Sequence, residues 1–268
     1  MYCQTTIFTM ASNMKKSLLK NLLFSAIGFV VILLIWQICA KVYNKPLILP
    51  GVGSTIKQFA LLFATKQFYV DTLLTFLRSL AAFALAFALA FVLATAAVTS
   101  SKLYHALKPA VSILATTPIM AVLLLLLVFV KSMFLPIVVA FLMTFPVLYT
   151  AIYTQFSSAE QKFGNMCKVY KVGFFSKLFS VWLPSSLNAL LNSCKTTLSM
   201  SVKVTISGEV LAYTANSLGK AMQEAANSYS LGTEKLLAYC FVALLLSMLA
   251  ELLVWAVQKL LKGAKLWH

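Results

Sequence analysis

Seven polar side chains follow one face of a predicted helix over residues 187–211. At about 100° of rotation per residue they fall within an arc of about 120°. They are Asn188, Asn192, Lys195, Thr196, Ser199, Lys203 and Ser207. The opposite face is apolar and includes Leu190, Leu198 and Val202. Hydrocarbon cannot solvate lysine or amide groups, so this face must meet protein or water, and we interpret it as the lining of a translocation pathway.

Ionisable side chains are rare in the apolar segments, which limits the chemistry they can do. The candidates for catalysis there are Lys195, Lys203, Glu209 and Glu251. An intramembrane enzyme needs several such groups at one site, whereas these four can simply form ion pairs, so catalysis is the weaker alternative. We expect Lys203 either to face water or to be held by Glu251, or by Glu209 if Gly208 breaks the helix. We therefore assign a structural or gating role to Glu209 and Glu251.

A basic, aromatic-rich segment over residues 157–182 separates two predicted spans. Its apolar side chains recur at helical spacing: Phe163, Met166, Cys167 and Tyr170. Gly173 ends this pattern, and a second short amphipathic piece runs to Pro184. Such a segment either lies at the membrane interface or docks into a groove of a cytoplasmic partner.

The composition places these features in an all-α, polytopic membrane protein. The chain is 61% hydrophobic and 10% charged, and its apolar runs are long enough to cross a bilayer. About six transmembrane helices are predicted, near 20–41, 77–98, 107–130, 133–154, 187–211 and 236–260. The formal net charge of +16 requires no nucleic acid, because the lysines flank the spans. More lysines lie in the segments on one side of the membrane than on the other. This difference predicts that both termini, including a tail over residues 1–19, are cytoplasmic.

Small and charged residues suggest how the second span packs. Alanines repeat every four residues, at Ala82, Ala86, Ala90 and Ala94, which favours close helix approach. Asp71 and Arg78 lie seven residues apart on one face, so Arg78 either pairs with Asp71 or reaches lipid headgroups or a neighbouring helix. The cysteines show no C-x-x-C spacing and only two histidines are present, so neither a metal nor another cofactor is expected.

The run NMCKVYKVGFFSKLFSVWLP resembles the cytoplasmic EAA loop of binding-protein-dependent ABC importer permeases. Counting back from Pro184 places Asn165, Met166 and Cys167 on the EAA positions and Lys171 on the loop glycine. The chain departs from the family pattern because it has no glutamate there and its glycine is displaced to Gly173. With Tyr170, these residues are the ones that the resemblance assigns to contact with an ATPase.

Further runs, in order along the chain, are similar to the nitrate/sulfonate/taurine branch of that family. They are LILPGVGST, DTLLTFLRSLAAF, VKVTISGEVLAYTANSLGKAMQEA and LLSMLAELL. The resemblance implies that residues 20–268 form a transmembrane domain that pairs as a homodimer in the cell membrane. It further implies two copies of a separate ABC ATPase and an extracytoplasmic binding protein. The solute would be a small organic or inorganic anion or a vitamin precursor of pyrimidine type.

Two sequence features bear on the alternatives. No phosphate-cradling G-x-x-x-x-G-K-[ST] loop occurs, so ATP hydrolysis is expected to belong to the partner and not to this chain. The coupling component of an energy-coupling-factor vitamin transporter resembles a different pattern, with Ala-Arg-Gly signatures on two cytoplasmic helices. The single arginine of this chain, Arg78, lies at the entry to a span, which argues against that alternative.

Overall fold

The computed structural model describes residues 24, 27–28, 30–42, 45, 48–228 and 232–263. The elements within these ranges are helices, as the all-α prediction requires. They are α1 (Val30–Val42), α2 (Val52–Leu62), α3 (Lys66–Thr99), α4 (Ser101–Thr116), α5 (Ile119–Phe129), α6 (Leu135–Val169), α7 (Phe174–Lys177), a π-helical turn (Leu178–Trp182), α8 (Leu183–Ala212), α9 (Leu218–Ala226) and α10 (Gly232–Gly263). The predicted tail over residues 1–19 lies outside the described residues.

Three described helices, α3, α6 and α10, are long and apolar enough to cross a membrane. The pair α4 and α5 makes a fourth candidate crossing, although its two halves are bent by 98°. These helices overlap nearly all of the predicted spans 77–98, 133–154, 236–260 and 107–130. The polytopic fold class is therefore confirmed. Membrane crossing by α1 and by α8, whose face carries the polar side chains described above, stays a prediction.

The bend between α4 and α5 has a local cause in the sequence. Thr117 precedes Pro118, whose ring disfavours helical backbone at the residue before it, and Thr117 is indeed extended. The Thr117 hydroxyl donates a hydrogen bond of 2.6 Å to the carbonyl of Ile113, which also accepts the backbone N–H of Thr117 at 3.0 Å.

Small residues allow the long helices to approach closely. Ala82, Ala86, Ala90 and Ala94 are fully buried along α3, which contacts α6 and α8, so the close packing predicted from their spacing is confirmed. Gly208 plays a similar part in α8. A Cβ at that position would lie 2.9 Å from the Cα of Pro136 in α6.

α6 and α8 form an antiparallel hairpin whose turn lies at Tyr170–Gly173. Next to the turn, the Trp182 indole packs on Phe156 at 5.8 Å between ring centroids and donates a hydrogen bond of 3.1 Å to Glu160. We call this end of the bundle the turn end. The opposite end, where α8 is followed by α9, is called the α9 end.

Candidate functional site

The polar face of α8 points out of the bundle. Asn188, Asn192, Thr196 and Lys203 are exposed, and Lys195 and Ser207 are partly exposed. The apolar face packs inward, with Leu198 and Val202 buried. By contrast, the exposed positions along the middle of α3 and of α10 are apolar, including Leu77, Leu85 and Leu252. The outer surface of α8 is thus unsuited to lipid, and a partner or water must cover it.

Ser199 departs from the others on this face. It is only 3% exposed, and its hydroxyl is buried with no hydrogen-bond partner in the described part of the protein. Ser199 lies about 20° from Asn188, well inside the predicted arc, yet it is buried, so the helical phase alone does not account for its position. It is therefore removed from the group of exposed side chains.

The predicted carboxylate partners of Lys203 are both engaged elsewhere. Glu251 lies 3.6 Å from the Lys195 ammonium, and both side chains are more than a third exposed. Glu209 pairs with Arg78 instead. Lys203 is exposed and makes no ion pair among the described residues, so the pairing hypothesis for Lys203 is wrong. α8 runs unbroken through Gly208, because that glycine serves close packing and not a change of direction.

A buried polar cluster, which the sequence did not reveal, joins α3 to the α9 end of α8. Glu209 is fully buried, and its Oε1 accepts a hydrogen bond of 2.9 Å from Arg78. Its Oε2 accepts one of 2.8 Å from the Thr75 hydroxyl and one of 3.3 Å from the backbone N–H of Gly219. Arg78 also donates to the carbonyls of Ala215 and Asn216, at 3.1 Å each. We call Thr75, Arg78, Glu209 and Gly219 the anchor cluster.

Asp71 is not the partner of Arg78 that its spacing suggested. Its carboxylate accepts a hydrogen bond of 2.8 Å from Gln67, one turn earlier on α3. Both residues line a cavity of about 290 Å³ at the α9 end, together with Asn216, Lys220 and Glu224. At the rim, Tyr213 donates a hydrogen bond to Glu224, which raises the pKa of the Tyr213 phenol above its ordinary value.

The turn end presents a patch of exposed apolar side chains, called here the tip patch. Its members are Met166, Val169, Tyr170, Phe174, Phe175 and Phe179. Tyr170 is 76% exposed and Phe175 72% exposed. Asn165 and Gly173 are exposed beside the patch, whereas Cys167 is buried and so cannot contribute its thiol to this surface. Exposed patches of this kind mark interaction sites.

The turn itself is built around Lys171. Its φ is +50°, a left-handed conformation that glycine adopts readily and lysine does not. Gly173, by contrast, has an ordinary φ of −66°. Lys171 is the residue aligned above with the loop glycine, so the backbone turns at the aligned position even though the residue type has changed.

Comparison with known families gives one match. A family model described as a binding-protein-dependent transport system inner membrane component matches residues 86–263. The matched range contains the tip patch and all of α8, and it ends with α10. Of the anchor cluster it includes Glu209 and Gly219. A search of curated proteins returned no match.

Proposed function

This chain belongs to the family of binding-protein-dependent transport system inner membrane components, and we propose that it is the permease subunit of an ABC importer. Two copies would enclose the pathway, a separate ATPase would power it, and an extracytoplasmic binding protein would deliver the solute. The chain itself then needs no catalytic site. The observation that carries this proposal is the polar, outward-facing surface of α8 in an otherwise apolar bundle.

The polar surface of α8 supports pairing between two copies. Lipid against Asn188, Asn192 and Lys203 would leave amide and ammonium groups without hydrogen-bond partners in hydrocarbon. A second copy that brings its own α8 to face this one would enclose a polar channel between the two helices. Lys195 and Lys203 would then make the channel positive, which suits a small organic or inorganic anion of the kind carried by the nitrate/sulfonate/taurine branch.

The tip patch supports attachment of the ATPase. It lies at the turn between two long helices, α6 and α8, so a force applied there acts directly on the helix that carries the polar face. With the turn end in the cytoplasm, both chain termini would also be cytoplasmic, as the distribution of lysines predicts. In this arrangement α9 faces the binding protein.

Copurification tests the proposal most directly. The full-length chain, expressed with its native genomic neighbours and solubilised in mild detergent, is expected to bring down an ABC ATPase in a ratio of two permeases to two ATPases. Reconstituted complexes should hydrolyse ATP faster when the loaded binding protein is added. A chain that purifies as a monomer without any ATPase would contradict the proposal.

Thiol labelling tests the position of the pathway. In a background without native cysteines, Asn192→Cys and Lys203→Cys are expected to react with small water-soluble thiol reagents, because their side chains would face the aqueous channel. Leu198→Cys serves as the control on the same helix, since it is 3% exposed and faces the core. Ser199→Cys should resemble the control. Equal labelling rates at all four positions would rule out a pathway along this face.

A further inference from the structure

We propose that the ATPase surface which receives the tip patch is acidic, and that Lys171 binds one of its carboxylates. This inference rests on the proposed function above and specifies the chemistry of the partner. It is carried by three exposed lysines that adjoin the tip patch, Lys162, Lys168 and Lys171, called here the lysine rim.

The segment over residues 157–182 carries far more positive than negative charge. It contains four lysines against one acidic residue, Glu160, which gives a formal net charge of +3. Glu160 is already engaged, because it pairs with the ammonium of Lys177 and accepts a hydrogen bond from the Trp182 indole. The members of the lysine rim make no ion pair among the described residues. Their charges are therefore available to a carboxylate of another molecule.

The lysine rim borders the tip patch along the chain. Lys162 lies one helical turn before Met166, on the same face of α6. Lys168 and Lys171 flank the patch residues 169–170 on either side. Interfaces commonly have an apolar centre that supplies affinity and a charged border that selects the partner. A groove with an apolar floor and carboxylates along its edge complements both parts of this surface.

Lys171 is the member of the rim whose conformation is costly. Its φ of +50° is unfavourable for lysine, and glycine would adopt the same conformation without strain. The turn does not need the lysine side chain, because its hydrogen bonds are made by the backbone. The N–H of Lys171 donates to the carbonyl of Lys168, and the N–H of Val172 donates to that of Cys167. A strained residue that the turn does not require points to a contact made by its side chain.

The length of α6 favours a protein partner over lipid headgroups. The 35 residues of this helix extend about 52 Å, whereas the hydrocarbon core of a bilayer is about 30 Å thick. α6 begins at the α9 end, so its last turns and the lysine rim project beyond the hydrocarbon core. An anionic lipid surface also attracts any nearby lysine and does not require one at a strained position.

The test uses the ATPase that copurifies with the full-length parent permease, removed and then rebound to permease in phosphatidylcholine nanodiscs. Lys171→Gly is expected to weaken ATPase binding about tenfold, because the ammonium that faces the acidic groove is lost. The same variant should raise the unfolding temperature of the isolated permease by about 2 °C, because glycine relieves the strained turn. A lysine that only shaped the turn would not give weaker binding together with a more stable fold. Lys171→Arg keeps the charge and should retain most of the binding.

Salt gives a second readout of the same contact. Raising the NaCl concentration from about 0.1 M to about 0.5 M screens charges and should weaken binding to the parent about tenfold. Lys171→Glu should weaken binding more than Lys171→Gly does and make it less sensitive to salt. Lys131→Glu is the matched control, because Lys131 is also exposed but lies just before α6 at the α9 end. This charge reversal should leave ATPase binding unchanged.

Three results would overturn the proposal. In the first, Lys171→Gly binds the ATPase as tightly as the parent does, which leaves the apolar patch as the sole contact. In the second, Lys171→Gly loses both binding and unfolding temperature, which gives the lysine a structural role only. In the third, phosphatidylglycerol raises the unfolding temperature of the parent but not of Lys171→Gly while both bind the ATPase equally, which assigns the lysine to lipid.

The parent chain separates this inference from the proposed function. If no ATPase copurifies with the parent, the proposed function fails and the acidic groove fails with it. If the ATPase binds the parent and Lys171→Gly with equal affinity, the proposed function stands and only the acidic groove is rejected. If Lys171→Glu fails to insert, Lys171→Gly decides alone, because it removes strain from the turn.

Discussion

Phe175→Asp is expected to abolish binding of the ATPase while leaving the permease in the membrane. Phe175 is 72% exposed in the tip patch, so the substitution disturbs no core packing. If the patch seats in a partner's groove, losing one central aromatic anchor costs about 2 kcal/mol or more, which weakens binding about thirtyfold. A carboxylate forced into that groove weakens it further. The measurement is the amount of ATPase retained on the immobilised permease.

Phe134→Asp provides the control for this experiment. Phe134 is also exposed, at 54%, but it precedes α6 at the α9 end of the bundle. The same change of residue at the opposite end should leave ATPase binding intact. Tyr170→Asp should behave like Phe175→Asp. Normal ATPase retention by both tip-patch variants would place the ATPase contact elsewhere on the protein.

The polar face of α8 could be predicted because it depends on local periodicity alone. A regular helix fixes the direction of each side chain from its position in the sequence, so exposed and buried residues separate by angle. Ser199 is the exception, because it is buried although its angle places it between the exposed Asn188 and Asn192. The alanine repeat of α3 could be predicted for the same reason.

The ion pairs could not be predicted, because each depends on which distant helix lies alongside. Arg78 and Glu209 are 131 residues apart in sequence, and nothing in the spacing of either residue points to the other. Spacing along the chain offered Asp71 as one possible partner of Arg78 and Glu251 as one possible partner of Lys203. The packing of α3, α8 and α10 instead places Arg78 against Glu209 and Glu251 against Lys195. The single arginine of the chain, lying in an apolar helix, was the one signal that a buried carboxylate had to exist nearby.

The tip patch was predicted in part. Helical spacing identified Met166 and Tyr170, but it also selected Cys167, which faces the packed side. The sequence also indicated an amphipathic segment after Gly173. This segment contains a π-helical turn, which has more than 3.6 residues per turn, so an α-helical spacing does not give the direction of its side chains. Phe175 and Phe179 therefore needed the structure to be placed on the surface.

The largest effect on stability is expected from breaking the pair between Arg78 and Glu209. Arg78→Met should lower the free energy of unfolding by about 3–5 kcal/mol, because it leaves the Glu209 carboxylate buried without a cation. The side chains are only 12% and 0% exposed, so water can do little to compensate. The measurement is reversible unfolding by denaturant in detergent micelles. Lys195→Met, which breaks a half-exposed pair, should cost no more than about 1 kcal/mol.

A double-mutant cycle separates the buried charge from the packing of the two side chains. Glu209→Gln keeps the shape of the side chain and an oxygen that can accept from Thr75, while it removes the charge. Adding it to Arg78→Met should therefore restore part of the lost stability, because no unpaired ion remains in the interior. The corresponding cycle for Lys195 and Glu251 should be close to additive. Additivity in both cycles would show that Arg78 and Glu209 contribute through packing alone, and that the carboxylate of Glu209 is not what ties α3, α8 and α9 together.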